Sequence, residues 1–262
     1  MTLVDPTPTR RERQREATYV DIVRVSRELL AEGAELSLRA VAGRMGMTAP
    51  ALYRYVASYQ ELVDLVAFEI DKAATEQFAA AADRLPQDDP AGRLVVAATE
   101  FRMWALAHPR EFATVFANPV ADTSCARREL LTLASSGLLM TGLIHRIFHE
   151  RGFAIPSLDQ LAEPVREAML DPLIPAPHED LADEERGLLW VDMQGWTALY
   201  GVVVLEVMGH IDPRVIESGE MFLDTVRRFA PLLGLEDDVE RLLDLARARI
   251  GRGAETAAGS TP

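Results

Sequence analysis

Apolar side chains recur at intervals of three and four along nearly the whole chain, and no stretch alternates convincingly at period two. The pattern predicts an all-α fold. A first helix is expected over residues 13–32, with Tyr19, Ile22, Val23, Ser26, Leu29 and Leu30 on one face and Gly33 to end it. Ser37 then offers a side-chain oxygen to the unpaired amides of a second helix, whose Leu38, Val41 and Met45 keep helical spacing until Gly46. Thr48 caps again, and Pro50 sits in the first turn, where its missing N–H costs little. That third helix is short, about residues 49–56. Ser58-Tyr59-Gln60-Glu61 has the form of a capping box, opening a fourth helix with Leu62, Leu65, Val66 and Ile70 inward.

Beyond residue 71 the predicted helices lengthen. Residues 93–107 turn Leu94, Val95, Ala98, Phe101, Trp104 and Ala105 toward a core, and Pro109 starts a short helix with Phe112, Val115 and Phe116. Residues 127–151 form a long helix carrying Leu130, Leu131, Ala134, Leu138, Thr141, Ile144, His145 and Phe148 inward. Pro172, Pro175 and Pro177 mark a loop over 170–182. Helices are expected over 184–210, 213–233 and 236–250. This divides the chain into a flexible basic arm at 1–12, a three-helix head at 13–57, a larger helical-bundle body at 58–250, and a disordered tail at 251–262.

Composition changes the picture only in its distribution. Apolar residues make up 48% of the 262 and charged residues 26%, enough for a sizeable core. The net charge of −14 is unfavourable for a polyanion partner. Yet residues 1–60 carry nine arginines against seven acids, while residues 61–262 carry 18 basic residues against 34 acids. The head faces phosphates more readily than the body does. No secretory signal opens the chain, and its most apolar stretches fall short of the ~20 residues of a spanning segment. With Cys125 as the single cysteine, there is no internal disulfide and no multi-cysteine metal site. A cytoplasmic protein without a membrane segment is expected.

Helix, glycine turn and short helix is the arrangement of a helix-turn-helix. The second helix must stand across the first, and Gly46 supplies the turn free of Cβ strain. Its front must be slim enough to enter a major groove, and Thr48, Ala49, Pro50 and Ala51 meet that need. Thr48 can bond a base edge or a phosphate, Ala49 and Pro50 can touch thymine methyls, and Arg54 can reach guanine or a phosphate. Tyr53 and Tyr55 can place hydroxyls on phosphates. Arg39 and Arg44, Ser37 at the start of the second helix, and the arginines from Arg10 to Arg15 would add backbone contacts.

Gly33, Ser37-Leu38-Arg39-Ala40-Val41-Ala42, the run from Gly46 through Val56, and Glu61-Leu62 together resemble the N-terminal domain of TetR/AcrR-type transcriptional regulators, over residues 19–65. In the family the helix matching 48–56 reads the major groove and the tyrosine matching Tyr53 contacts a phosphate. Two positions depart from the family pattern. Tyr59 stands where a lysine is usual, and Tyr55-Val56 where His-Phe is common. A second, shorter resemblance runs from Trp196 through Gly201 to Leu205-Glu206, similar to a signature of the C-terminal domain in one subgroup.

The resemblance implies a ligand-responsive repressor that binds a pseudo-palindromic operator as a homodimer and needs no cofactor. The dimer helices would be residues 188–208 and 215–233, with Gly195, Ala198 and Gly201 allowing close approach. The effector would be a small apolar or aromatic molecule held in the body. Candidate lining residues are Trp104, Phe112, Phe116, Met140, His145, Trp190, Met193, Gln194 and Trp196, apolar surface with a few polar handles. The helix from Ser58 to about residue 83 would carry the signal to the head. The enzyme alternative is thin: His145, His149 and Glu150 read H-x-x-x-H-E without a third metal ligand, and no P-loop, G-x-S-x-G or G-x-G-x-x-G is present. A helical module that binds another protein through its acidic body is the other alternative.

Overall fold

The computed structural model describes residues 9–116, 135–171 and 181–258, which hold twelve α-helices and no strand. They are α1 (Arg10–Glu32), α2 (Leu38–Arg44), α3 (Ala49–Leu52), α4 (Tyr59–Ala82), α5 (Pro90–Ala107), α6 (Pro109–Phe116), α7 (Ser135–Arg151), α8 (Glu163–Leu170), α9 (Gly187–Val207), α10 (Pro213–Ser218), α11 (Glu220–Phe229) and α12 (Val239–Ala258). Residues 1–8, Cys125, the first part of the helix expected over 127–151, and Pro172, Pro175, Pro177 and His178 lie outside the described residues.

The chain divides into two compact units. The first runs up to Ile70 and includes Arg110–Phe116; the second holds Asp71–Pro109 and the described residues after 116. Where the sequence reading ends the head at residue 57, the first unit therefore continues through half of α4 and takes in most of α6.

In the first unit α1 begins three residues earlier than expected. Thr9 Oγ1 accepts from the Glu12 amide at 3.3 Å, and the Thr9 amide donates to Glu12 Oε2 at 2.6 Å. This reciprocal cap satisfies two amides that a helix start leaves open, so Arg10, Arg11 and Glu12 are helical and not part of a flexible arm. Ile22, Val25, Leu29 and Leu30 bury one face of α1, each contributing about 1.5–3 kcal/mol by leaving water. Ser26, on the same face, donates to the Ile22 carbonyl at 2.7 Å. Ser37 caps α2 as expected, accepting from the Ala40 amide at 3.2 Å. Gly46 follows with φ +67°, a conformation that strains any residue with a Cβ. The capping box at α4 is present with one shift: Ser58 Oγ accepts from the Glu61 amide, but Glu61 reaches back to the Ala57 amide.

In the second unit α5 packs against α12, α7 and α9. Phe78, Phe101, Ile147, Leu188, Phe222, Leu242 and Leu243 are buried there. Two expectations fail. Leu138 is exposed, because α7 turns Met140, Leu143, Ile144 and Ile147 inward, a face rotated from the one the spacing suggested. The helix expected over 213–233 is three pieces: α10, α11 and a 3-10 turn over Ala230–Leu233. The break is Gly219, at φ +70°, where a Cβ would stand 2.8 Å from Ile250 Cδ1. The last helix runs to Ala258, well into the segment read as a tail, through alanines and a glutamate that favour helix.

Candidate functional site

α3 is a single turn, shorter than the residues 49–56 expected, and Tyr53-Arg54-Tyr55 continues it as a turn. Leu52 and Val56 are fully buried and hold this strip down. Thr48, Pro50, Tyr53, Arg54 and, beyond them, Arg39 and Tyr59 stand exposed, while Ala49, Ser37 and Tyr55 are half-buried. The Thr48 hydroxyl makes no capping bond, so its donor and acceptor remain open. Ser37 is different, since its oxygen is committed to the Ala40 amide. Tyr55 turns its ring edge-on to Tyr19, centroids 5.7 Å apart.

Acids of α1 neutralise part of the first unit's positive charge. Arg44 is bidentate on Glu32 at 2.9 and 2.7 Å, and Arg24 bonds Asp21 and Glu28. The clamp on Arg44 withdraws a cation that the sequence reading turns toward DNA. Arg27 grips Glu111 of α6 through Nε and Nη2 at 2.8 and 3.2 Å. The neighbouring Arg110 lies across Gly33 and donates from Nη1 to the Leu30 and Ala31 carbonyls. These two residues cap the end of α1 from a segment about eighty residues away, which no local sequence signal reveals.

The second unit holds three of the residues proposed as ligand lining in its interior: Trp104, Met140 and His145 are buried. Trp196 and Trp190 are half-buried. Aromatic rings follow one another from His108 through Trp104, Phe78, Phe101 and Trp196 to Tyr200, neighbouring centroids 5.7–6.2 Å apart. Phe112 and Phe116 belong to the first unit, where their rings lie 5.2 Å apart on α6. Met193 and Gln194 are exposed on α9, because that helix turns Leu189 and Asp192 inward.

Two buried pairs of ionisable side chains escape the sequence reading. His145 Nε2 of α7 meets Asp192 Oδ2 of α9 at 2.7 Å, with both residues nearly inaccessible to water. Burial pushes the Asp192 carboxyl above the usual carboxylate range, against the opposing pull of the His145 contact. Arg102 of α5 bonds Glu206 Oε2 at 2.6 Å and the Ile216 carbonyl at 2.6 Å, and stands over the Phe222 ring. Among the described residues, Asp192 Oδ1 and Glu206 Oε1 find no hydrogen-bond partner. With His145 bound to Asp192 and His149 exposed, the H-x-x-x-H-E pattern does not assemble, and no group of three or more metal-ligating residues occurs among the described residues.

By length and composition alone the stretch Asp183–Val207 is apolar enough to cross a membrane, longer than the sequence reading allowed. It carries Asp192 and Glu206, each paired to another helix of the same unit, which is the chemistry of a core helix. Met193 and Leu205 on it and Met208 just after it are exposed, and a Cβ added at Gly201 would meet nothing within 4 Å. Gly195 differs: a Cβ there would stand 2.8 Å from the Phe229 ring, so its small size serves packing against α11 within the chain.

Residues 94–229, more than half of the chain, match the model of the tetracyclin repressor-like C-terminal domain, and the chain belongs to that family of transcriptional regulators, the TetR family. Over 108 residues, 41% of the chain, it is 35% identical to the HTH-type transcriptional regulator Rv1816 of Mycobacterium tuberculosis (strain ATCC 25618 / H37Rv). It matches the HTH-type transcriptional regulator Mb1846 of Mycobacterium bovis (strain ATCC BAA-935 / AF2122/97) to the same extent. The match spans 45% of the length of each relative. The crystal structure of SCO4313, a presumed regulatory protein, superposes with a TM-score of 0.56 at 24% identity, covering 87% of this chain and 100% of that one. At that identity the likeness speaks for the all-α fold. Family membership also sets the chain among regulators and not enzymes, as the sequence reading expected.

Proposed function

We propose that the chain is a DNA-binding transcriptional repressor that grips a pseudo-palindromic operator as a homodimer and releases it when a small molecule enters the body. One observation carries the DNA reading: a single-turn helix pinned by Leu52 and Val56 that leaves Thr48, Pro50, Tyr53 and Arg54 exposed beside an open Thr48 hydroxyl. Thr48, Ala49 and Pro50 enter the major groove, Arg54 reads guanine or a phosphate, and Tyr53, Tyr59, Arg39 and Ser37 take backbone positions. A protein acting on the chromosome in this way works in the cytoplasm.

Exposed Met193 and Leu205 of α9 and Met208 just after it, with exposed Met221 and Leu232 nearby in sequence, form the face that a second copy covers. Gln194 belongs to that face and not to the pocket. The effector is apolar or aromatic and lies among Trp104, Met140, His145, Trp190 and Trp196. It shifts the operator equilibrium only by its preference for one arrangement of the body. The continuous helix α4 transmits the change.

Selection of bound sequences from random duplex DNA by the full-length protein tests the reading. An inverted repeat is expected, with Thr48→Val altering which sequences win and Tyr53→Phe weakening all of them alike. Absence of any salt-sensitive binding to duplex DNA overturns it.

A further inference from the structure

Apart from Arg13, the arginines of the first unit fall into two sets. Arg24, Arg27 and Arg44 each hold a carboxylate, and Arg110 lies on carbonyls of α1. Among the described residues, Arg10, Arg11, Arg15, Arg39 and Arg54 have no acidic partner. Of these five, Arg15 alone has its guanidinium fixed. Its Nη2 donates to the Tyr19 hydroxyl at 3.0 Å, and its guanidinium carbon stands 5.6 Å from the centre of the Tyr19 ring. Tyr19 in turn donates to the Tyr55 carbonyl at 3.2 Å, and the two tyrosine rings meet edge to face. The Tyr55 amide donates to the carbonyl of Leu52, the last residue of α3. A chain of contacts thus runs from the end of α3 to a cation on α1.

Resting on the DNA-binding reading, we propose that Arg15 is a fixed phosphate contact of the head, and that Tyr19 and Tyr55 act by bracing it and not by touching DNA. A guanidinium carries five N–H donors, and Tyr19 takes one of them. Arg15 is exposed, and a guanidinium fork matches the paired oxygens of a phosphate. Ordering the side chain in advance removes part of the entropy that binding would otherwise cost. Arg15 lies on α1 and not on the short helix, where a phosphate, not a base edge, is the partner in reach of a flanking cation. This reassigns Tyr55, read from the sequence as a DNA contact, and singles out Arg15 among the arginines from Arg10 to Arg15 as the one held in place by tyrosines.

The test measures equilibrium binding of the full-length protein to its selected duplex and to an unrelated duplex, between about 50 and 200 mM salt. Arg15→Gln is expected to weaken both by about tenfold near 0.1 M salt, and to make the slope of log affinity against log salt shallower by about 0.9 for each phosphate that the variant leaves unneutralised. Tyr19→Phe keeps the ring and removes both hydrogen bonds, and a smaller, equally sequence-independent loss is expected. Arg24→Gln, on the same helix but already held by Asp21 and Glu28, leaves affinity and slope as they are, with thermal melting showing all three variants folded. The proposal is overturned if Arg15→Gln binds like an active wild type, if its loss is confined to one sequence, or if Arg24→Gln loses as much. A wild type that binds no duplex removes the DNA-binding reading itself, a result distinct from all of these.

Discussion

Arg102 and Glu206 are each almost completely shielded from water. Such a pair adds little over a well-packed apolar pair, but removing one partner strands a charge. Arg102→Ala is therefore expected to cost about 3–5 kcal/mol in urea unfolding, while Arg102→Met with Glu206→Leu recovers most of the loss. Both residues were legible in principle: one arginine within the apolar run of α5 and one glutamate within that of α9 invite pairing. What the sequence does not carry is that positions 104 apart face each other. The same holds for His145 and Asp192, which periodicity treats as separate. Burial raises the Asp192 pKa, so its protonated form is the one the fold favours. That contribution is complete below the ordinary carboxylate range and is lost as pH rises through the raised value. Asp192→Asn should remove this dependence, so that urea titrations show wild type losing stability relative to the variant as pH rises from about 4.

At the scale of elements, helix starts were the most legible feature, because caps are local chemistry. Ser37 and Ser58–Glu61 act near where the sequence placed them, as does Gly33 at a helix end, whereas Thr48, read as a cap, makes no capping bond. Breaks were less legible. The spacing over 213–233 is helical enough to hide the change of direction at Gly219, which exists because Ile250 of α12 occupies the place of a Cβ. Gly219→Val combines that collision with a strained backbone, and a loss of about 1–3 kcal/mol is expected in thermal or urea unfolding. Gly201→Ala, with open space around it, should leave the stability of an isolated subunit nearly unchanged. α7 shows the limit of reading faces from spacing, since Leu138 satisfied the pattern but lies exposed.

At the scale of the whole molecule, the all-α class was readable from periodicity alone, while the assignment of residues to units was not. Phe112 and Phe116, read from the sequence in one set of lining residues with Trp104, are grouped with the first unit, while Trp104 is grouped with the second. If the exposed residues of α9 and Met208 just after it form the dimer face, Leu205→Glu with Met208→Glu should halve the mass seen in sedimentation and weaken operator binding by at least about tenfold. A variant that stays at the wild-type mass moves the dimer contact elsewhere.

Arg110 and Glu111 fasten the end of α1 from a stretch of chain that is synthesised after α5 is already complete. During synthesis, then, the first unit lacks these contacts when helices α1 to α3 leave the ribosome, and gains them only after α5 has followed. A gene fragment ending near residue 70 would encode every side chain proposed to face the groove and still omit Arg110 and Glu111, which hold the end of α1. Splicing at that point would separate Arg27 from the carboxylate it holds in this chain.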